Sequence, residues 1–376
     1  MTDTNWSMTE TEVLSAIGEA IDREANAVLA TIIDVEGSAY RRPGAKMLIE
    51  GDGGAGSLTA GCLEDEVRGL ADAVLDDDES RIETYDLSGD DDDVWGLGMG
   101  CNGVITVLLE PLRESYRPVI ESVTNGEDCG IVTVVSGDRP LGERSFYNAE
   151  TGFSGALPEW LRDELKAPTA ELLERGATDT LEVETDDGTV EVFVEGIEAP
   201  SHLVIVGSGP DVNPVVELAK RVDFRVTVLS FRGALSTEAH FPDADAVLAT
   251  SPSDIREAVD FDTDTYVVVM THNFIDDRLA LEGLIETPVP YLGLMGPTDR
   301  FEEMLEDFAD EGVSMTEDDM NRIYTPIGLD LGGDSPYQIA YSIVAEVLSV
   351  ANDRTPQHLT EREEPIHERT EIPLTE

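Results

Sequence analysis

The sequence predicts an α/β protein in which an N-terminal α/β domain is followed by a doubly wound, mostly parallel sheet. Three observations carry that expectation. The 376 residues are 41% hydrophobic, enough apolar material for two or three cores at roughly 150 residues per domain. From residue 200 onward the short apolar runs "HLVIVG", "FRVTVLS", "AVLAT", "YVVVM" and "PYLGLM" alternate with helical segments, the pattern of an open parallel sheet. Before residue 200, β-rich runs and amphipathic helices are interleaved with glycine-rich loops, the texture of a separate α/β unit.

The elements follow in order. "SMTETEVLSAIGEAIDRE" offers a capping box, Ser7 with Glu10, and apolar residues Val13, Leu14, Ile17, Ala20 and Ile21 at helical spacing. "NAVLATIIDV" and "AKMLIE" read as strands joined by the loop "SAYRRPGAKM", and "CLEDEVRGLADAVLDDD" returns to helical period. "RIETYDL", the acidic turn "SGDDDD", the loop "GLGMGCNG" and the apolar "VITVLLEPL" complete a core at about 8–115. The middle, 116–199, holds a helix around Arg117 to Val123, the strand "GIVTVV" and the Asp-Gly hairpin "LEVETDDGTVEVFVEG", and is read as completing the first domain, 1–199. The second domain spans 200–352 and closes with a helix capped by Ser335, started by Pro336 and carrying Ile339, Ile343, Val347 and Leu348. Residues 353–376 are polar, without an apolar face, and read as a mobile tail.

Acidic residues outnumber basic ones 80 to 24, giving a net charge of −56 spread along the whole chain. Such a surface repels itself where the screening length is about 8 Å and is relieved near molar salt, where it is about 3 Å, so a salt-rich cytoplasm, a halophilic setting, is expected. Only Lys46, Lys166 and Lys220 are lysines. No broad basic face can be assembled, which argues against nucleic acid or anionic lipid as partner. The start of the chain lacks the features of a signal peptide, and no apolar run approaches the roughly 20 residues that span a bilayer, so a soluble, cytoplasmic protein without a membrane partner is expected.

Three cysteines, Cys62, Cys101 and Cys129, are too few and too scattered for a disulfide framework or a CxxC metal knuckle. Cys129, with no glycine frame, reads as structural. In "HLVIVGSGPDVNPVVELAK", Gly207, Ser208 and Gly209 lie between a buried strand and a helix, where backbone N–H groups hold phosphates in dinucleotide-binding folds. The third glycine position is Val212, and Ser230 stands where an acidic residue holds a ribose hydroxyl; Arg232 is placed to meet a 2′-phosphate. A tight turn without ligand is the plain alternative. "VVVMTHNFIDD" delivers His272, Asp276 and Asp277 to the same crevice, and "YLGLMGPTDR" delivers Gly293 and Gly296. His272 reads equally as an acid or base and as the cap of the following helix.

Against the acidic background, Arg41, Arg42 and Lys46 stand within six positions of each other beside a Pro-Gly turn. They read either as surface partners of abundant carboxylates or as one wall of a small anion site.

Together with "EGSAYRRPGAKMLI", the segments "GAGSLTAGCLEDEV", "GLGMGCNGVITVLLEP", "VMTHNFIDD", "YLGLMGP" and "PIGLDLGGDSPYQIAYSIVAE" resemble, in order, the XdhC/CoxI family of xanthine dehydrogenase accessory proteins. The resemblance runs from about Asn26 to Val350. It implies an XdhC-type N-terminal domain, a Rossmann-like C-terminal domain and a homodimer. It also implies a factor that binds molybdenum cofactor (molybdopterin) as cargo, protects it while a terminal sulfur is installed, and inserts it into a molybdenum hydroxylase. Cys101 falls in the family's glycine-flanked cysteine motif, here with Asn102 in place of a glycine, and is the first candidate for contact with molybdenum or sulfur. Gly61 and Cys62 match the family's "GGCLE" segment, here "AGCLE"; Cys62 reads as a buried thiol or as a reactive one. Two other readings stand beside this one. One is an NAD(P)-dependent oxidoreductase with His272 as proton carrier; the other is a scaffold that docks a sulfurtransferase or cysteine desulfurase and the client enzyme.

Overall fold

A computed structural model describes residues 4–5, 8–87, 103–185, 188–232 and 238–361. The chain forms two compact units that meet in sequence between Ala199 and Pro200.

The first unit runs through β1 (Thr4–Asn5), α1 (Glu10–Asp22), β2 (Val28–Gly37), β3 (Lys46–Glu50), β4 (Gly53–Gly56), α2 (Glu64–Asp77), β5 (Arg81–Asp86) and β6 (Gly103–Pro111). It continues with α3 (Arg117–Asn125), β7 (Cys129–Ser136), β8 (Arg144–Asn148), β9 (Gly152–Gly155), α4 (Glu159–Glu174), β10 (Thr178–Thr185) and β11 (Gly188–Ile197). Two sheets result, one of six strands in the order β1-β4-β3-β2-β6-β5 and one of five in the order β10-β11-β7-β8-β9. Strand periodicity explains how β2 serves two cores. Val28, Ala30 and Ile32 face Val67, Ala71 and Val74 of α2, while Leu29 joins Val13 and Ile17 of α1 and Val119 of α3. Ile33, on the same side of the strand as Leu29, meets Val135 and Phe193 of the second sheet, and a register shift between Ile32 and Asp34 returns Val35 to the side of Val28, Ala30 and Ile32.

Two expectations shift here. The capping box of α1 is Thr9 with Glu12, two residues later than Ser7 with Glu10: Glu12 N–H donates to Thr9 Oγ1 at 3.2 Å and Thr9 N–H to Glu12 Oε2 at 2.8 Å. The middle segment also contains α4, whose Pro168 lies inside the helix, and the strands β8 and β9, none of which its sequence announces.

The second unit contains β12 (His202–Val206), α5 (Val212–Lys220), β13 (Arg225–Ser230), β14 (Ala246–Ala249), α6 (Ile255–Ala258), β15 (Thr265–Val269), α7 (Phe274–Leu284), β16 (Tyr291–Leu294), α8 (Thr298–Glu311), α9 (Glu317–Asn321), β17 (Ile323–Tyr324) and α10 (Pro336–Ala351). All six strands are parallel, in the order β14-β13-β12-β15-β16-β17, so the doubly wound sheet expected from the apolar runs is present. One face packs on α5 and α10 through Val215, Ala219, Ile343 and Val347; the other packs on α7 and α8 through Ala280, Leu281, Met304 and Phe308. Ser335 and Gln338 form the expected cap of α10, but Ile339, in its first turn, is exposed; the buried residues of the helix begin at Ala340. Strand order reverses between β12 and β15, which sets the crevice of the unit at their carboxyl ends.

Candidate functional site

In the first unit, four loop-forming stretches converge at one end of the six-stranded sheet. Gly37 at the end of β2 pairs with Gly103 at the start of β6, and the Leu87 N–H, just after β5, donates to the Gly103 carbonyl at 3.0 Å. Ala39, Cys62 and Leu87 pack against one shared apolar cluster. The loop carrying Arg41 and Arg42 therefore starts beside Gly103, and the loop carrying Cys62 rests on the same apolar cluster. Cys101, two positions before Gly103 in sequence, lies outside the described residues.

The cations of "SAYRRPGAKM" separate into three roles. Lys46 is 4% exposed, pairs with Glu195 of β11, and donates to the Gly44 carbonyl at 3.0 Å. Burial works against its charge, but Glu195 and the neighbouring Tyr116 hydroxyl outweigh that and raise the ammonium above its ordinary pKa. Lys46 is thus withdrawn from the anion-site expectation: its charge is spent on joining the two sheets. Arg41 pairs with Glu10 at the start of α1, the plain salt-bridge reading. Arg42 is exposed and, unlike Arg41 and Lys46, makes no ion pair among the described residues.

The glycine loop before α2 is closed on itself. Glu64, 1% exposed, accepts from the N–H groups of Leu58 (3.1 Å) and Thr59 (2.7 Å) and from Thr59 Oγ1 (2.7 Å). Thr59 Oγ1 in turn accepts from Gly61 N–H at 3.2 Å and Cys62 N–H at 2.9 Å. The Gly61 and Cys62 N–H groups are therefore satisfied internally, and a carboxylate already sits at the entry to α2. This Thr59–Glu64 lock was missed in the sequence, although "TAGCLE" places a hydroxyl and a carboxylate five residues apart. Cys62 itself is half-buried and Cys129 is 2% exposed, its thiol pushed up to about 11 by burial. That environment suits a structural thiol.

In the second unit, Gly207, Ser208 and Gly209 do follow β12 and His272 follows β15, flanking the crevice. His272 is not the cap of α7: Asn273 Oδ1 accepts from Ile275 N–H (3.0 Å) and Asp276 N–H (3.1 Å). His272 adopts a left-handed backbone, φ 60°, and its Nε2 lies 2.7 Å from Asp211 Oδ2. Ser230 is fully buried, its Oγ accepting from the Arg232 N–H at 3.2 Å, while Arg232 is exposed.

Asp277 is fully buried. Its Oδ1 accepts from Thr271 N–H at 3.1 Å and from Thr271 Oγ1 at 2.5 Å, and its Oδ2 pairs with Arg300. Burial raises its pKa against the opposing pull of Thr271 and Arg300. Gly296 has φ 139°, a conformation that favours glycine, and lies beside Arg300, whose Cδ would stand 3.0 Å from a Cβ there. No group of three or more His, Cys, Asp or Glu side chains suited to a metal occurs among the described residues, and none of their helices is long and apolar enough to cross a membrane.

Comparison with known proteins places the chain. Residues 20–86 match the XdhC and CoxI family, and residues 203–347 match the XdhC Rossmann domain. A probable xanthine dehydrogenase subunit of Bacillus subtilis is 32% identical over 87% of this chain and 94% of its own length. The molybdenum cofactor insertion chaperone PaoD of Escherichia coli is 23% identical over 88% of this chain and 86% of its own. A crystal structure of a xanthine dehydrogenase from Bacillus halodurans is 30% identical, with a TM-score of 0.74, covering 93% of this chain and 97% of that one. The resemblance read from the ordered glycine and cysteine motifs is thereby borne out, and the chain belongs to the XdhC and CoxI family.

Proposed function

We propose that this protein carries molybdenum cofactor as cargo and inserts it into a client molybdenum hydroxylase. One observation carries the reading: the likeness to a named molybdenum cofactor insertion chaperone extends over 88% of the chain, not over one domain alone.

The N-terminal convergence of loops is the proposed cargo site. Molybdopterin presents a phosphate and a soft dithiolene–metal centre. Arg42 is a planar, permanently charged donor suited to the phosphate, and thiols are the side chains suited to the soft end. Cys101 is the proposed contact to molybdenum or its terminal sulfur, with Cys62 as the second thiol of the reading. Support of sulfuration, with a cysteine desulfurase or sulfurtransferase as partner, a homodimeric state, a cytoplasmic location and a halophilic origin belong to the same reading.

The test is a transfer assay: the protein loaded with molybdenum cofactor is mixed with a cofactor-free client hydroxylase, and client activity is followed. Activity that appears with the loaded protein and not with its Cys101→Ala variant supports insertion. Capture of client subunits without any pterin in the complex, and no transfer, would support a scaffold instead.

A further inference from the structure

A Rossmann-like unit raises the expectation of NAD(P), and the residues at its glycine loop test that fit. Dinucleotide folds seat a pyrophosphate on the loop and on the first-turn N–H groups of the following helix, so that position must be open, uncharged and rich in donors. Here a carboxylate stands over that position. Asp211, the residue before α5, makes no capping bond to the helix; its carboxylate turns back over the loop instead. A Cβ at Gly209 would stand 2.3 Å from Asp211 Oδ1 and 3.7 Å from His272 Cδ2. Oδ2 of the same carboxylate is held at 2.7 Å by His272 Nε2, from a residue in the left-handed conformation.

The donor supply is depleted as well. Val212 N–H donates to the Gly209 carbonyl at 3.2 Å, and Pro214, the third residue of α5, has no N–H. At the end of β13, where a ribose would be read, Ser230 is fully buried and bonded to Arg232.

We infer that the Asp211–His272 pair closes the phosphate position of this crevice, so that the unit excludes NAD(P) and other ligands that would seat a phosphate on the loop. Gly207, Ser208, Gly209, Ser230 and Arg232 then shape a packed turn and not a dinucleotide cradle. The inference is independent of the cargo reading, because it concerns dinucleotides at the second unit alone.

Titration calorimetry of the full chain in molar KCl with NADH, NADPH and inorganic pyrophosphate tests it, alongside Asp211→Asn and Asp211→Asn/Pro214→Ala. The wild type is expected to bind none of the three at millimolar concentration. Removing the charge is expected to raise affinity for NADPH or pyrophosphate at least about tenfold, and restoring the Pro214 N–H to raise it further. Asp211 makes no helix cap, so Asp211→Asn is expected to keep the wild-type circular dichroism and Tm. Wild-type binding of either dinucleotide that pyrophosphate competes away would overturn the inference. So would the absence of any gain in the folded variants, since Asp211 would then not be the excluding group.

Discussion

Lys46 of β3 and Glu195 of β11 form a buried ion pair, each side chain 5% exposed, between strands 149 positions apart in the chain. The pair ties the six-stranded sheet of the first unit to the five-stranded one. Beside it, Thr178 Oγ1 donates to the Pro43 carbonyl at 3.4 Å, so the Pro-Gly turn is anchored to the same sheet. Removing one partner of a buried pair strands the other charge. Lys46→Met and Glu195→Gln are each expected to cost about 3–5 kcal/mol in urea unfolding, and Lys46→Met/Glu195→Leu to recover most of that loss. Additive losses in the double variant would show that the pair is not coupled.

Arg42 separates binding from folding. Arg42→Ala is expected to lie within about 0.5 kcal/mol of the wild type in the same unfolding experiment, as an exposed residue without an ion pair among the described residues should. Its bound pterin is nevertheless expected to fall severalfold. A variant that keeps full pterin content would remove Arg42 from the cargo site.

These two residues also mark how far the sequence could be read. The clustering of Arg41, Arg42 and Lys46 was visible, but the carboxylates that claim Arg41 and Lys46 come from α1 and β11, and local spacing does not encode such long-range pairing. The parallel sheet was legible because its strands are continuous apolar runs, while α4 was hidden by Pro168, a residue that usually ends a helix. At α1, Ser7 with Glu10 and Thr9 with Glu12 satisfy the same four-residue pattern, and the folded chain uses the second. Asp211 follows "GSGP" in plain view, yet a carboxylate next to a helix start reads as a cap until its partner, His272, 61 positions on, is known.

His202 supplies a pH dependence. It is 5% exposed, its Nε2 is 2.8 Å from Thr227 Oγ1, and burial, aided by Arg225, lowers its pKa to about 4 from 6.5. The folded protein resists protonation there while the unfolded chain accepts it, so this contribution is fully present above about pH 6.5 and is lost as pH falls toward 4. The stability of the wild type relative to His202→Gln is expected to decline across that window by up to about 3 kcal/mol. A difference that stays constant from pH 7 to pH 4 would contradict the assignment.

The net charge of −56 predicts a salt-stabilised fold. Raising KCl from 0.1 to 2 M is expected to raise Tm by several degrees, at about 2–4 °C for each kcal/mol of repulsion relieved. A Tm that falls with KCl would contradict the view that surface repulsion limits stability.

The most direct test of the central claim is molybdenum and pterin analysis of the full chain purified in high salt from a host that makes the cofactor. The account predicts molybdenum and pterin in equal amounts, bound by the wild type and reduced severalfold in Cys101→Ala at unchanged Tm. Folded wild-type protein that carries neither molybdenum nor pterin, and takes up neither when the cofactor is supplied, would contradict it.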